Sequence, residues 1–298
     1  MATDLHYLPK FRDRLSYLYV EHAVVERDTN SIILHQESGS VAIPVAQIVL
    51  LMLGPGTTLT HAAVDILSRN NCLIAWVGEE CVRLYAFGTG GSHSSERLLR
   101  QAALVSDPVK RLAVVRQLYQ MRFDEPISPE MSIEQLRGKE GYRVRTAYAQ
   151  MADRCGIKWE GRNYDRNVWQ GADPANRALS AATACLYGVC HAAILSLGFS
   201  AALGFIHTGK QLSFVYDLAD LYKLEIAVPV AFTEAASEAE QLDRRVRLKM
   251  RDRFRETNFM ERVANDLMLI FGKDPDPIEP MIYDDDPALP APLWDGEA

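Results

Sequence analysis

This chain of 298 residues lacks the signatures of several enzyme classes. It has no GxSxG, which removes the hydrolase nucleophile elbow, and no cysteine with an evident activating histidine. The glycine-rich Gly88-Thr89-Gly90-Gly91-Ser92 is followed by no P-loop lysine, so it reads as a flexible break rather than a phosphate cradle. The five cysteines (Cys72, Cys81, Cys155, Cys185, Cys190) contain no CxxC pair. An odd set, several on apolar faces, is expected to be reduced and buried in a cytoplasmic protein. No run approaches the roughly 18 uninterrupted apolar residues of a membrane span, and the N-terminus has no signal-peptide pattern, so no membrane association is expected. Basic side chains are missing altogether from Asp274 to Ala298, where eight acids and six prolines argue for an irregular tail. The formal charge of −7 is therefore misleading, since the rest of the chain carries 32 basic against 31 acidic residues. Nucleic acid is not excluded as a partner; the distribution of charge decides.

The remainder is ordinary for a globular protein, with 48% hydrophobic and 24% charged residues. Short β-branched and aliphatic runs at 15–20, 31–35, 40–43, 48–53, 72–77 and 82–87 predict strands, separated by turn signals such as Gly54-Pro55-Gly56. One helix is expected among them over 61–69, with Thr60 as N-cap. Beyond the glycine break the pattern turns helical over 94–105, 108–122, 132–155, 174–197, 213–224, 229–235 and 238–271, the last with Ser237 as N-cap. Pro108 and Pro174 follow Asp107 and Asp173, the proper order of cap and first turn. The 174–197 segment, apolar over much of its surface, is the expected central helix. The fold expected is α+β with two domains: a β-rich unit over 1–90, a larger all-helical unit over 91–275, and an acidic, proline-rich tail over 276–298.

Three acids and a histidine sit where folding alone would not put them. On the 132–155 helix, Glu140 shares a stripe with Ile133, Leu136, Val144, Ala147 and Met151. Asp217 lies within the stripe of Phe214, Leu218, Leu221 and Leu224, and Asp220 at its edge. His207 stands in the turn Gly204-Phe205-Ile206-His207-Thr208-Gly209-Lys210. A core-facing carboxylate is costly unless a cation or hydrogen-bond donors meet it. Two explanations fit: a hard divalent cation held by His, Glu and Asp, or a structural network in which Asp217 or Asp220 pairs with Arg137, Arg143 or Lys210. A second constellation is basic. Between Asp243 and Arg255 seven cations meet two anions, and Arg244, Arg247, Arg251 and Arg255 fall on one helical face. The stripe is either a solvated face or a row of phosphate contacts.

These motifs, together with Arg137-Gly138-Lys139-Glu140, Ser213-Phe214-Val215-Tyr216-Asp217-Leu218-Ala219-Asp220 and Ala181-Ala182-Thr183-Ala184-Cys185-Leu186-Tyr187-Gly188, resemble the CRISPR-associated spacer-acquisition integrase, most closely its subtype I-E form. The resemblance runs from about Phe11 to Phe271. It implies a metal-dependent DNA integrase and endonuclease that inserts short foreign fragments into a CRISPR array. Glu140, His207 and Asp220 are then ligands of Mg²⁺ or Mn²⁺, with Asp217 as an outer ligand or a partner behind them. Arg83, Lys210, Tyr164 and Tyr187 align with positions the family uses near DNA. Where relatives carry an aromatic beside Glu21, this chain has His22. The resemblance further implies a homodimer joined through the β-rich domain, two dimers bridged by a small ferredoxin-like partner protein, and double-stranded DNA with 3′ ends and CRISPR repeat DNA as substrates. A non-enzymatic DNA scaffold and a stand-alone metal-dependent nuclease are the alternatives.

Overall fold

The computed structural model describes residues 15–70, 72–78, 84–88, 95–162, 173–237 and 240–272. Its described β-structure ends at Gly88 and its longer helices begin at Glu96. One sheet takes the order β1 (Leu15–Val20), β5 (Ile48–Leu53), β7 (Leu73–Val77), β8 (Leu84–Gly88), the first three parallel and the last antiparallel. The other takes the order β4 (Gly39–Pro44), β3 (Ser31–Gln36), β2 (Val24–Asp28), β6 (Thr58–Leu59). Ile48, Leu50, Leu51, Met52 and Leu53 of β5 are buried on both faces of the strand, as expected of an inner parallel strand. Leu51 and Leu53 join Val25, Ile32 and Leu34 in a core covered by α1 (His61–Arg69), while Leu50 and Met52 turn the other way. Thr60 caps α1, its Oγ1 accepting from the Ala63 N–H at 3.3 Å. The strands β2 and β6 are additions to the expected set. Glu26, Arg27 and Asp28 make β2 read as a loop, and its pairing comes from the hairpin with β3.

The helical part comprises α2 (Glu96–Ser106), α3 (Pro108–Gln120), α4 (Ile133–Cys155), α5 (Pro174–Ser196), α6 (Ser213–Ala219), α7 (Val228–Ala236), α8 (Leu242–Glu256) and α9 (Phe259–Phe271). Asp107 accepts from the N–H groups of Val109 and Lys110, and Asp173 from that of Asn176, as the sequence predicts. α5 is the centre, contacting α6, α7, α8 and α9. Pro174–Leu195, at mean hydropathy 1.6, is long and apolar enough to cross a membrane, yet 67% of its most apolar window is buried inside this fold. Cys185 and Cys190 are buried here and Cys72 among the strands, while Cys155 is half-buried; Cys81 lies outside the described residues.

Two expected helices are broken. The 213–224 helix stops at Ala219, and a single π turn over Lys223–Ala227 leads into α7. Pro229 explains the wider turn: it has no N–H to give the Glu225 carbonyl, and in a regular helix its ring would strike that group. The expected 238–271 helix is two, α8 and α9, separated at Asn258, whose φ of 44° lies in the left-handed region that asparagine tolerates better than most residues. Ser237 does not cap that helix; it ends α7, and Gln241 precedes α8.

The sheet meets the helical part through Leu50, Met52, Leu73, Ala75 and Val77 against Ala192 of α5. His191 sits in this contact, 2% exposed, its ring edge-on to Phe87 at 4.5 Å and its buried Nε2 without a hydrogen-bond partner. Burial pushes its pKa down to about 4. The unfolded chain takes up this proton near pH 6.5 and the folded protein only near 4, so stability falls as pH drops through that window, by on the order of 3 kcal/mol in full. We expect His191→Gln to flatten the dependence of Tm on pH between 6.5 and 4; an unchanged slope would assign the acid sensitivity to other groups.

Candidate active site

Asp217 organises the site. Its side chain is fully buried on α6. Oδ2 accepts from the backbone N–H groups of Phe205 (2.6 Å) and Ile206 (3.0 Å), and Oδ1 from the N–H of His207 (2.9 Å). Oδ1 also meets His207 Nδ1 at 2.7 Å. Nδ1 therefore donates to Asp217, and in the neutral tautomer Nε2 is the lone-pair donor. The side chain of His207 is 41% exposed, so that donor belongs to the surface of the site rather than to the core. Gly204 is required where the loop doubles back: a Cβ there would run into the His207 carbonyl and the Ser213 side chain. Gly209 takes φ 76°, which only glycine adopts without cost.

The loop is held from outside as well. Gln101 of α2 donates to the carbonyls of Ser200 and Leu203 and accepts from the Ser200 N–H. Arg111 of α3 donates twice to the Phe205 carbonyl, at 2.8 and 3.0 Å. Neither residue was expected at the site. For Gln101 a signal existed, since it shares a helical face with Leu98, Leu104 and Val105.

Glu140 and Asp220 each have cations against them. Arg143 donates to both Glu140 oxygens at 2.9 and 3.1 Å. Asp220 is paired with Lys223. Between the two stands Arg122, its Nη1 at 3.7 Å from Glu140 and 3.8 Å from Asp220. Burial pushes the Asp220 pKa upward, but the charges of Lys223 and Arg122, with a smaller contribution from His207, bring it below the usual carboxylate range. Lys223 is raised: burial opposes its charge, and Asp220 outweighs that. Of the structural pairings considered from sequence, Arg143 takes Glu140 rather than Asp217 or Asp220.

With the carboxylates turned onto these cations, no three His, Cys, Asp or Glu side chains among the described residues stand grouped to hold an ion. The donor chemistry nonetheless fits a divalent cation. Two largely buried carboxylates share one guanidinium, and an imidazole with Nδ1 engaged elsewhere carries its lone pair on Nε2. Arg143 lies one turn away on the same helix and is partly exposed, so it can leave Glu140 without unfolding anything.

The remaining candidates divide. Tyr187 is half-buried with its ring 5.1 Å from that of Tyr216, which meets His207 edge-on at 5.8 Å. Burial raises the Tyr187 pKa. Lys210 is exposed, 6.0 Å above the Tyr216 ring. Arg244 and Arg255 are exposed on α8, and Arg251 is held by its neighbour Asp252. Arg247 departs from the expected stripe. It is 7% exposed, with its guanidinium 4.4 Å over the ring of Tyr19, whose hydroxyl donates to Glu21. Arg247 falls beside the core residues Val246, Met250 and Phe254, and the β-rich part covers that edge of the helix. Arg83 and Tyr164 lie outside the described residues.

Fold and site together define an α+β protein with N-terminal sheets and a helical C-terminal part, in which one buried carboxylate orients a histidine and two further carboxylates flank one guanidinium. A profile described as CRISPR associated protein Cas1 matches residues 16–127 and 121–245. The CRISPR-associated endonuclease Cas1 2 of Thermus thermophilus is 52% identical over 301 residues, 99% of this chain and 91% of that protein. The crystal structure of TtCas1 superposes with a TM-score of 0.80 at 52% identity, covering 88% of this chain and 99% of that one. For the TtCas1-DNA complex the values are 0.71 and 54%, over 90% and 100%. The chain belongs to the Cas1 family.

Proposed function

We propose that this chain is a metal-dependent DNA integrase and endonuclease of the form found in subtype I-E systems. It would insert short foreign DNA fragments as new spacers into a CRISPR array. The 3′-hydroxyl of a fragment would attack a phosphodiester at the repeat boundary, forming a new P–O bond as the old one breaks and releases a 3′-hydroxyl on the cut strand; with water as nucleophile the same centre would cleave DNA. The observation that carries this reading is the fourfold grip of Asp217 on 205–207, which orients His207 in a site shared with Glu140 and Asp220. Glu140, His207 and Asp220 would hold Mg²⁺ or Mn²⁺, and Asp217 stands behind His207 rather than on the ion. Such an ion, when bound, polarises the phosphate and stabilises charge on the attacking and leaving oxygens. Lys210 lies three residues from His207 and adds positive charge for a phosphate. Tyr187 and Tyr216 form an apolar wall beside it.

The reading is supported by the likeness to the TtCas1-DNA complex, 54% identical. It carries with it a two-domain layout near 1–90 and 91–275, a homodimer, a cytoplasmic setting and a small ferredoxin-like partner bridging two dimers. The acidic 276–298 segment, outside the described residues, is a candidate for the partner contact. The test is integration of a labelled duplex with free 3′-hydroxyls into a repeat-bearing plasmid, with and without the partner and Mg²⁺ or Mn²⁺. Strand transfer is expected only with metal. A second reading, a non-enzymatic DNA scaffold, is favoured by the cations already paired with Glu140 and Asp220. DNA binding with neither transfer nor cleavage under any metal would establish it.

The burial of Arg247 refines how α8 is expected to meet DNA. Arg244→Ala with Arg255→Ala should lower the slope of log affinity against log salt by about 1.8 on duplex DNA, near 0.9 per lost phosphate contact. Arg247→Ala should leave that slope unchanged and lower Tm, because it removes a buried cation stacked on Tyr19. The reverse pattern would place Arg247, not Arg244 and Arg255, at the DNA.

A further inference from the structure

Arg122 follows the end of α3, and its side chain is 2% exposed. Nη2 donates to the backbone carbonyl of Asp217 at 3.0 Å, and the guanidinium lies 5.4 Å over the ring of Tyr119. Nε is buried with no hydrogen-bond partner. Its distances to Glu140 and Asp220, 3.7 and 3.8 Å, are too long for hydrogen bonds. A guanidinium matched to one carboxylate would show a close bidentate pair, as Arg143 does with Glu140. Arg122 instead stands almost equidistant from two acids of different helical segments, anchored by a carbonyl of the residue that orients His207. It cannot lose its proton in a protein, and its burial leaves it nowhere to swing. Any cation entering between Glu140 and Asp220 comes close to a charge that stays.

We propose that Arg122 is a positioning residue with a fixed charge: it holds Glu140 and Asp220 together when no ion is between them, and by repulsion it weakens the affinity of the Glu140–His207–Asp220 centre for a divalent cation. The inference rests on the metal reading above. It makes the centre a weak site by construction, one that fills fully only when a phosphate oxygen adds its own negative charge. A lysine at 122 keeps the sign of the charge; a glutamine removes it and keeps a donor for the Asp217 carbonyl.

The experiment uses the full chain, with Mn²⁺ binding followed by the electron paramagnetic resonance signal of free Mn²⁺ and thermal melts run with and without the ion. R122Q is expected to bind Mn²⁺ about tenfold or more tighter than the unsubstituted protein, as removal of a unit charge a few ångströms from a dication implies. Its melting temperature should be lower without metal and should rise more on adding Mn²⁺. R122K should keep near-original affinity. R122Q/E140Q should melt above R122Q without metal, because the single remaining acid still has Lys223. Equal or weaker Mn²⁺ binding by folded R122Q, with the unsubstituted protein binding, would overturn the inference and leave the metal reading standing. No Mn²⁺ binding by any form would overturn both. If R122Q does not fold, the comparison of E140Q with R122Q/E140Q decides: tighter binding by the double variant supports the role, and equal or weaker binding rejects it.

Discussion

Alanine at Glu140, His207 or Asp220 is expected to lower metal-dependent strand transfer by at least about a hundredfold in each case, the range seen when one group stabilising transition-state charge is removed. The three should differ in stability. Repulsion between buried acids, taken alone, would make removal of either one stabilising. The ion pairs reverse that sign for Asp220, whose loss leaves Lys223 and half of Arg122's charge uncompensated in a buried setting. Asp220→Ala should therefore melt below the unsubstituted protein. His207→Ala, at a half-exposed position, should melt close to it. Strand transfer at a normal rate by a folded variant would remove that residue from the ligand set, and circular dichroism with melting curves separates this from unfolding.

Asp217→Ala is expected to have the largest effect on the fold. One fully buried carboxylate satisfies three backbone N–H groups and the imidazole Nδ1–H. Each buried donor left without an acceptor costs about 1–3 kcal/mol, and partial relaxation of the loop limits the sum to about 4 kcal/mol. Asp217→Asn keeps the volume, but its amide brings two N–H donors where donors already point, so it should recover little. The check is chemical denaturation of both variants beside Asp220→Ala. A cost for Asp217→Ala no greater than that for Asp220→Ala would show that the 204–210 loop is held mainly by Gln101 and Arg111. The same variants test the division of labour, because Asp217 is expected to act through His207 and not on the ion.

Much of this was legible beforehand. Helix starts at His61, Pro108 and Pro174 follow from caps one residue earlier, which are local chemistry. The burial of Asp217 and the partial burial of Glu140 followed from their places on apolar stripes. The helix ends at 219–242 were not legible, because Pro229 acts on a carbonyl four residues back and the chain accommodates it by a wider turn rather than a stop. Arg247 was misplaced for a similar reason. Spacing puts Arg244, Arg247, Arg251 and Arg255 on one face, and only the contact of Tyr19 with Arg247 shows which of them is covered.

What the sequence determined by itself was most of the strands and helices, the caps at Thr60, Asp107 and Asp173, the β-then-α division and the presence of acids on apolar stripes. All of these rest on periodicity and on residues within a turn of one another. The tertiary structure alone decided that Asp217 grips the loop while Asp220 pairs with Lys223, that Gln101 and Arg111 brace the loop from α2 and α3, and that Arg122 stands between the two outer acids. Arg122 reaches the Asp217 carbonyl across 95 positions of sequence. Such a contact is chosen by how α3, α4 and α6 pack into the common helical core, and no spacing along the chain encodes it.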